Sequence, residues 1–218
     1  MNGKLITLEG IDGAGKSSVI KKVFEHLKKE YPLVKLVLTR EPGGNQVSDQ
    51  IRKLILNQNI DCYTELLLYE ASRREHFIHQ IAPILKQGGI VICDRFTDST
   101  IAYQGYGRQL GELIVKALND FVVDIKPNLT LFFDVDLKTA SERIANHRQN
   151  EINRLDQEKR VFYQKVIKGY QATIESDPQR FRVINANRKF ENVYNEVYAI
   201  LSAYIYNFRD GMKIDERN

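Results

Sequence analysis

The most informative part of the chain is LITLEGIDGAGKS (residues 5–17), where an apolar segment runs into a glycine-rich turn. Residues 5–8 have the pattern of a buried strand, and apolar residues recur at three-to-four spacing from residue 17 onward. Residues 10–17 match G-x-x-x-x-G-K-[ST]. Glycines in this pattern let successive backbone N–H groups turn inward around an anion, and a helix N-terminus adds a positive dipole end. The stretch predicts a strand, a phosphate-binding loop and a helix, in that order.

Strand and helix patterns alternate along the rest of the chain. Short apolar runs predict five strands, at residues 5–8, 36–38, 90–93, 129–135 and 181–184. Apolar residues at helical spacing predict helices at residues 17–29, 47–56, 65–86, 112–123, 138–146, 154–176 and 191–206. We therefore predict an α/β fold like that of P-loop NTPases, with a five-stranded, mainly parallel sheet flanked by helices on both faces. Ligands are then expected at the carboxyl ends of the strands.

Composition sets the class of protein. The chain has 218 residues, of which 43% are hydrophobic and 28% charged, values typical of a globular protein. We expect a single domain at residues 1–206 and a loose tail at residues 207–218. No apolar run is long enough for a membrane helix, and the two cysteines are too few for a disulfide framework. The first residues pass into a strand-like segment rather than a signal peptide, so we expect a cytoplasmic protein with no membrane partner. The net charge of +4 comes from interspersed residues rather than a basic stripe, so we expect no nucleic-acid partner.

The predicted loop has the residue types of a nucleoside triphosphate site. Lys16 is expected to reach the β- and γ-phosphates of ATP, and the Ser17 hydroxyl is expected to bind Mg²⁺. Asp94, which ends the third predicted strand, is the favoured second ligand, with Asp134 or Asp136 as the alternative. The predicted ATP-binding residues of the loop are Gly10, Ile11, Asp12, Gly13, Ala14, Gly15, Lys16, Ser17 and Ser18.

Three further segments indicate which class of nucleotide-binding protein this chain resembles. They are TREPGG (residues 39–44), LLYEASR (67–73) and DRFTDSTIAYQGYGR (94–108). Together with the loop, they resemble the thymidylate kinases, and the resemblance extends from about residue 4 to about residue 206. It implies phosphorylation of dTMP to dTDP with ATP and Mg²⁺, in the biosynthesis of dTTP, by a homodimer that associates through apolar helices between residues 65 and 123.

A kinase must hold two anionic phosphates close together, which requires cations. Arg40 and Arg95 follow neighbouring strands, so we expect their guanidinium groups to clamp the acceptor phosphate. A single arginine at the end of a strand would more often form an ion pair at the protein surface. The resemblance implies that Arg73 donates to a thymine carbonyl and that Tyr69, commonly phenylalanine in the family, stacks on the base.

The resemblance also assigns the sugar and the polar edge of the base. Ser99, Thr100 and Gln104 are expected near the base. Tyr103 would crowd a ribose 2′-hydroxyl, and Asp12 would accept a hydrogen bond from the 3′-hydroxyl.

A polar, basic segment at about residues 143–154 predicts a lid over ATP. Since the loop has Ala14 where one group of the family has a basic residue, the lid is expected to supply the catalytic arginine. Arg148 is the candidate, beside Lys16, Arg95 and Asp12 as catalytic residues, and Arg143 is expected to pack on adenine. Asn153 departs from the aspartate that is common in the family.

Three alternatives remain at this stage. The chain could be a kinase for another nucleotide or nucleoside, although a two-arginine clamp argues against an unphosphorylated acceptor. It could be a nucleotide switch, which would lack a second anion site, or a nucleic-acid-associated ATPase.

Overall fold

A computed structural model describes residues 1–147 and 158–215. Its described residues form one sheet with strands β1 (Lys4–Glu9), β2 (Leu36–Arg40), β3 (Ile90–Asp94), β4 (Leu129–Asp134) and β5 (Phe181–Asn185). The strands lie in the order β2-β3-β1-β4-β5, and each neighbouring pair is parallel. The predicted five-stranded sheet is therefore confirmed. Its carboxyl ends bring the loops after β1, β2 and β3 together.

Helices connect the strands. α1 (Lys16–Glu30) precedes β2, and the segment before β3 holds α2 (Gln46–Asn57), α3 (Cys62–His76), the π-helical turn π1 (Phe77–Ile81) and α4 (Ala82–Lys86). The segment before β4 holds α5 (Thr97–Thr100), the π-helical stretch π2 (Ile101–Gly107) and α6 (Glu112–Val122). α7 (Leu137–His147) and α8 (Arg160–Ser176) precede β5, and α9 (Phe190–Asp215) follows it. None of the helices in the described part of the chain has the length and apolarity needed to cross a membrane.

The sheet is buried on both faces. Ile6 and Ile92 pack into the larger apolar cluster, with residues of α1, α8 and α9. Leu5 and Val91, their neighbours along the strands, pack into a second cluster with residues of π1 and α4. This alternation follows from the two-residue period of a strand and confirms that helices flank both faces.

The helix boundaries differ from the prediction in three places. The sequence patterns predict no helix or strand at residues 97–107, but these residues form α5 and π2. α8 begins at Arg160, and residues 154–157 of the predicted helix lie outside the described residues. α9 runs to Asp215, so the prediction of a loose tail from residue 207 is wrong for residues 207–215. Phe208 packs against the larger cluster and lies under the Lys4 ammonium, which accounts for the continued helix.

Candidate active site

The loop after β1 requires glycine. Gly13 and Gly15 have φ values of 79° and 88°, in the left-handed region. A Cβ on Gly13 would lie 2.4 Å from the Ala140 carbonyl oxygen, so a side chain there would push against α7. Gly15 is the N-cap residue of α1. The loop thus leads directly into a helix N-terminus, where anions are stabilised.

Two cavities meet at this loop. A large cleft of about 840 Å³ lies at the ends of β2 and β3, and a small pocket of about 300 Å³ lies between the loop, α7 and the start of α9. Asp12, Lys16 and Ser17 line both. The large cleft contains all the residues predicted to bind dTMP, namely Asp12, Arg40, Tyr69, Arg73, Arg95, Ser99, Thr100, Tyr103 and Gln104. The two cavities can therefore hold two ligands that meet at the phosphate loop.

Lys16 lies at this boundary and is 6% exposed. Its Nζ donates to the carbonyl oxygens of Gly10 and Ile11, at 2.8 and 3.0 Å. Burial and the nearby Arg95 guanidinium lower the pKa of Lys16 to about 8, although neighbouring carboxylates oppose the change. Gly10 and Ile11 therefore serve the loop by holding Lys16, while the predicted residues from Asp12 to Ser18 line the small pocket.

Ser17 and Asp94 meet between the cavities. The Ser17 hydroxyl donates to Asp94 Oδ2 at 2.5 Å. The other carboxylate oxygen, Asp94 Oδ1, is buried and has no hydrogen-bond partner among the described residues. An unpartnered buried carboxylate oxygen beside a hydroxyl suits a hard cation such as Mg²⁺. The residues predicted to bind the metal thus fit that ion.

The rival aspartates are placed differently. Asp136 caps α7, because its carboxylate accepts from the backbone N–H and the hydroxyl of Thr139, at 2.9 and 2.8 Å. These bonds lower the pKa of Asp136. Asp134 is exposed at the end of β4. Neither residue lines the large cleft or the small pocket.

Arg95 is held in place from several sides. Its φ of 73° is unusual for a residue other than glycine and is a form of backbone strain found at functional sites. Nη1 donates to Gly10 O, Ser99 Oγ and Tyr170 Oη at 3.0, 3.1 and 3.2 Å. Nη2 lies 2.9 Å from Asp12 Oδ1 and donates to Tyr103 Oη at 3.3 Å. The predicted clamp residue is thus oriented by the phosphate loop and by side chains of α5, π2 and α8.

A residue missed by the sequence analysis lies beneath Arg95. Glu9, fully buried, accepts hydrogen bonds from the Phe96 N–H and from the hydroxyls of Ser99 and Tyr170, at 2.8, 2.6 and 3.0 Å. Burial, followed by the charge of Asp98, raises the pKa of Glu9 to about 7. The sequence signal was a carboxylate that directly precedes the loop, but no pattern indicated that it is buried.

The second predicted clamp residue has an additional neighbour. Arg40 is 58% exposed and faces Asp49, with 3.8 Å between its guanidinium and the carboxylate. Arg52 on α2 lines the same cleft and donates to the Pro42 carbonyl at 3.0 Å. Burial and the charge of Arg40 lower the pKa of Arg52. Sequence analysis missed Arg52 because an arginine on an amphipathic helix gives no signal of its own.

Arg73 is almost fully buried on α3. Its Nε donates to Glu41 and its Nη1 to Glu70, both at 2.8 Å, and Nη1 also donates to Asn119 at 2.6 Å. Nη2 donates to the Phe96 carbonyl at 3.1 Å. With an exposure of 2%, this guanidinium is a rigid donor at the wall of the large cleft.

Four of the remaining predicted cleft residues form two groups, the tyrosines Tyr69 and Tyr103 and the hydroxyl residues Ser99 and Thr100. Tyr69 is half-buried, and desolvation together with the charges of Glu65 and Asp12 raises its pKa. The Tyr103 hydroxyl donates to Asp12 Oδ2 at 2.7 Å, which joins the predicted sugar residues. The hydroxyls of Ser99 and Thr100 donate to protein groups, Ser99 to Glu9 and Thr100 to the Thr97 carbonyl at 2.9 Å. These two side chains therefore support the cleft wall.

The small pocket extends from the loop toward α9. Arg143 borders it and donates to the Ala186 carbonyl at 2.9 Å. Phe190 and Val193, which the sequence analysis did not single out, add apolar surface. This combination suits a base above a polyphosphate. Arg148, the predicted lid arginine, lies outside the described residues.

A buried cluster beside the cleft contains Glu41, His76 and Cys93. His76 bonds to Glu41 at 3.0 Å through Nδ1 and to Thr39 at 2.7 Å through Nε2. Burial raises the pKa of the Cys93 thiol, and this thiol donates to the Arg95 carbonyl at 3.1 Å. These bonds give the cluster a supporting role for the loops after β2 and β3.

Comparisons with known proteins agree with this site. The family model described as thymidylate kinase matches residues 8–197. The thymidylate kinase of Ligilactobacillus salivarius is 44% identical over 94% of this chain and 100% of its own length. That of Staphylococcus epidermidis is 47% identical over 92% of this chain and 98% of its own.

A solved structure shows the same likeness in three dimensions. The crystal structure of thymidylate kinase from Ehrlichia chaffeensis superposes with a TM-score of 0.74, at 38% identity, over 91% of this chain and 98% of that one. The chain therefore belongs to the thymidylate kinase family of phosphotransferases, which phosphorylate dTMP to dTDP.

Proposed function

We propose that this chain moves the γ-phosphoryl of ATP to the 5′-phosphate of dTMP with the help of Mg²⁺, as a step in dTTP biosynthesis. The observation that carries the proposal is the meeting of two cavities at Lys16, one lined by the phosphate loop and the other by four arginines, of which Arg40, Arg52 and Arg95 are the proposed phosphate ligands. Two polyanions can approach each other only where cations neutralise them.

The donor is proposed to lie in the small pocket. Lys16 would exchange its two carbonyl partners for phosphate oxygens, while the loop and the N-terminus of α1 supply N–H donors. Arg143 and Phe190 would border the adenine. Ser17 and Asp94 would hold Mg²⁺, which neutralises charge on the β- and γ-phosphates when bound.

The acceptor is proposed to lie in the large cleft. Arg95, supported by Arg40 and Arg52, would bind the 5′-phosphate. Tyr69 would stack on thymine and Arg73 would donate to a carbonyl of the base. Asp12 would accept from the 3′-hydroxyl, with Tyr103 against the sugar.

Catalysis would then consist of positioning and charge stabilisation, because the acceptor phosphate is already an anion. Arg95 and Lys16 flank the line between the two phosphates. We propose that Arg148, from a lid at about residues 143–154, adds charge stabilisation that Ala14 in the loop lacks.

The test is an ADP-release assay with dTMP, dUMP, dCMP and thymidine. We expect dTMP to have the highest kcat/KM and thymidine to be a poor acceptor, because it brings no phosphate to Arg95. Arg95→Ala should lower kcat/KM for dTMP by at least about a hundredfold, as expected when a charged transition-state donor is removed. Arg182→Ala, on the exposed part of β5, is the matched control and should leave kcat/KM unchanged. Equal rates with all four acceptors would refute the assignment.

We also propose a single catalytic domain that forms a homodimer, acting in the cytoplasm on dTMP and ATP alone. Leu67, Leu113 and Phe121 are exposed by 58%, 83% and 82% on α3 and α6, which pack side by side. An apolar face of this kind is typical of a protein interface. Light scattering should give twice the chain mass for the native protein and a monomer for Phe121→Lys. A native monomer would refute the dimer.

A further inference from the structure

The amide of Gln104 is fixed at the wall of the large cleft. Gln104 lies on π2, lines the cleft and is 1% exposed. Its Nε2 donates to Glu65 Oε1 at 2.7 Å. Because the two ends of an amide have opposite hydrogen-bonding character, the group that holds one end decides which end the cleft receives.

Glu65 is itself fixed. It is fully buried on α3, and the Arg108 guanidinium forms a fork with its carboxylate, with Nε to Oε1 and Nη2 to Oε2 both at 3.2 Å. Arg108 in turn pairs with Glu158 at 2.6 Å and stacks over Phe162. A carboxylate paired with a guanidinium can only accept hydrogen bonds, so Gln104 must turn its nitrogen toward Glu65 and its oxygen away.

Arg73 supplies the complementary group. Glu41 and Glu70 hold its guanidinium, which can only donate. The wall of the cleft therefore offers one fixed donor and one fixed acceptor. Thymine and uracil present an acceptor at O4 and a donor at N3, whereas cytosine presents a donor at N4 and an acceptor at N3.

We propose that Glu65 sets the base specificity of this kinase by holding the Gln104 oxygen toward the acceptor base. Glu65 is a positioning residue, since it acts through Gln104, and the inference rests on the proposed function. With Glu65 in place, cytosine meets acceptor against acceptor at N3 and donor against donor at N4. Without a carboxylate at this position, the amide can rotate and donate to N3 of cytosine.

The experiment compares dTMP with 5-methyl-dCMP, which differ only at the N3–C4 edge. Glu65→Gln should lower the ratio of kcat/KM for dTMP to that for 5-methyl-dCMP by about tenfold or more, because sites that pair with a polar group reject its mismatch strongly. Glu75→Gln is the matched control, since it makes the same change on the exposed face of α3 and should keep the native ratio.

A double variant guards against loss of folding. Glu65→Gln with Arg108→Gln removes both charges of the buried pair, which is less disruptive than leaving one of them unpaired. It should show the same fall in the ratio. A native ratio in the folded variant, with both substrates affected equally, would assign Glu65 to structure alone and overturn the inference. A native enzyme that turns over dTMP poorly would instead refute the proposed function.

Discussion

Raising the pH above about 8 should weaken the use of ATP, because Lys16 then loses its charge. The pKa of Lys16 lies near 8 in the protein, compared with 10.5 for an ordinary lysine, as a result of burial and the neighbouring Arg95. Below pH 8 the ammonium is charged and can bind a phosphate. Above pH 8 the amine is neutral, and binding of a polyphosphate must take up a proton to restore the ion pair.

The size of the effect follows from this difference. If the bound phosphates return the pKa of Lys16 to 10.5, the affinity for ATP falls about tenfold for each pH unit between 8 and 10.5. Each unit corresponds to about 1.4 kcal/mol. At about pH 9 we therefore expect a loss of about tenfold in kcat/KM for ATP, which reports ionisations of the free enzyme.

The assay is ADP release at saturating dTMP and fixed free Mg²⁺, from about pH 7 to about pH 9.5. Lys16→Arg is the matched control, since a guanidinium keeps its charge over this range. Its activity should be lower, but its profile should be flat. A flat native profile through pH 9 would refute the reasoning about Lys16. An equal decline in the arginine variant would assign the alkaline limit to another group.

Three further predictions concern a buried carboxylate, a tightly packed glycine and the aromatic residue proposed to stack on the base. The pKa of Glu9 is raised to about 7, so its ionisation costs stability as the pH rises from 4.5 through 7. Relative to the native protein, Glu9→Gln should gain about 2.5 kcal/mol in free energy of unfolding between pH 5 and pH 8, as measured by denaturant unfolding at both. A difference between the two proteins that is the same at both pH values would refute this prediction. Gly169→Ala should lower the free energy of unfolding by roughly 1–3 kcal/mol, since its Cβ would lie 2.8 Å from the Ala102 backbone. Gly105→Ala is the control and should be tolerated, because the nearest atom to its Cβ lies 3.6 Å away. Similar melting temperatures for the two variants would contradict this prediction. Tyr69→Ala should raise KM for dTMP about tenfold, because the stacking contact with the base is lost. Tyr69→Phe should change KM by less than about threefold, since the ring is kept. A larger change in the phenylalanine variant would show that the hydroxyl takes part in binding.

The sequence was sufficient for the sheet and for most residues of the large cleft. Strand alternation and the glycine pattern are local signals, so β1, the loop and α1 were predicted together. The clamp pair Arg40 and Arg95 followed from a rule of topology, since loops after adjacent parallel strands meet at one edge. Both residues line the same cleft as Lys16.

Other features depend on contacts distant in sequence. The roles of Ser99 and Thr100 in holding Glu9 and Arg73 appear only when α5 is packed against β1 and α3. Arg52 gives no sequence signal, because its environment comes from Arg40 and Pro42 across the cleft. The extension of α9 likewise depends on a long-range contact, that of Phe208 with the core, which periodicity in a short window does not reveal.

The carboxylate of Asp12 explains how a buried cation can be kept ready for an anionic substrate. Within the protein, Asp12 accepts from Arg95 through one oxygen and from Tyr103 through the other. A buried guanidinium whose charge is not balanced would cost several kcal/mol, and the Asp12 carboxylate balances the charge of Arg95 within the protein. In the proposed complex, phosphate would replace Asp12 as a partner of the guanidinium, and Asp12 would then accept from the sugar 3′-hydroxyl. One carboxylate thus helps to orient Arg95 within the protein and, on the proposed function, would also contribute to recognition of the sugar. This exchange of partners is a physical reason for placing an acidic residue inside a loop that binds phosphate.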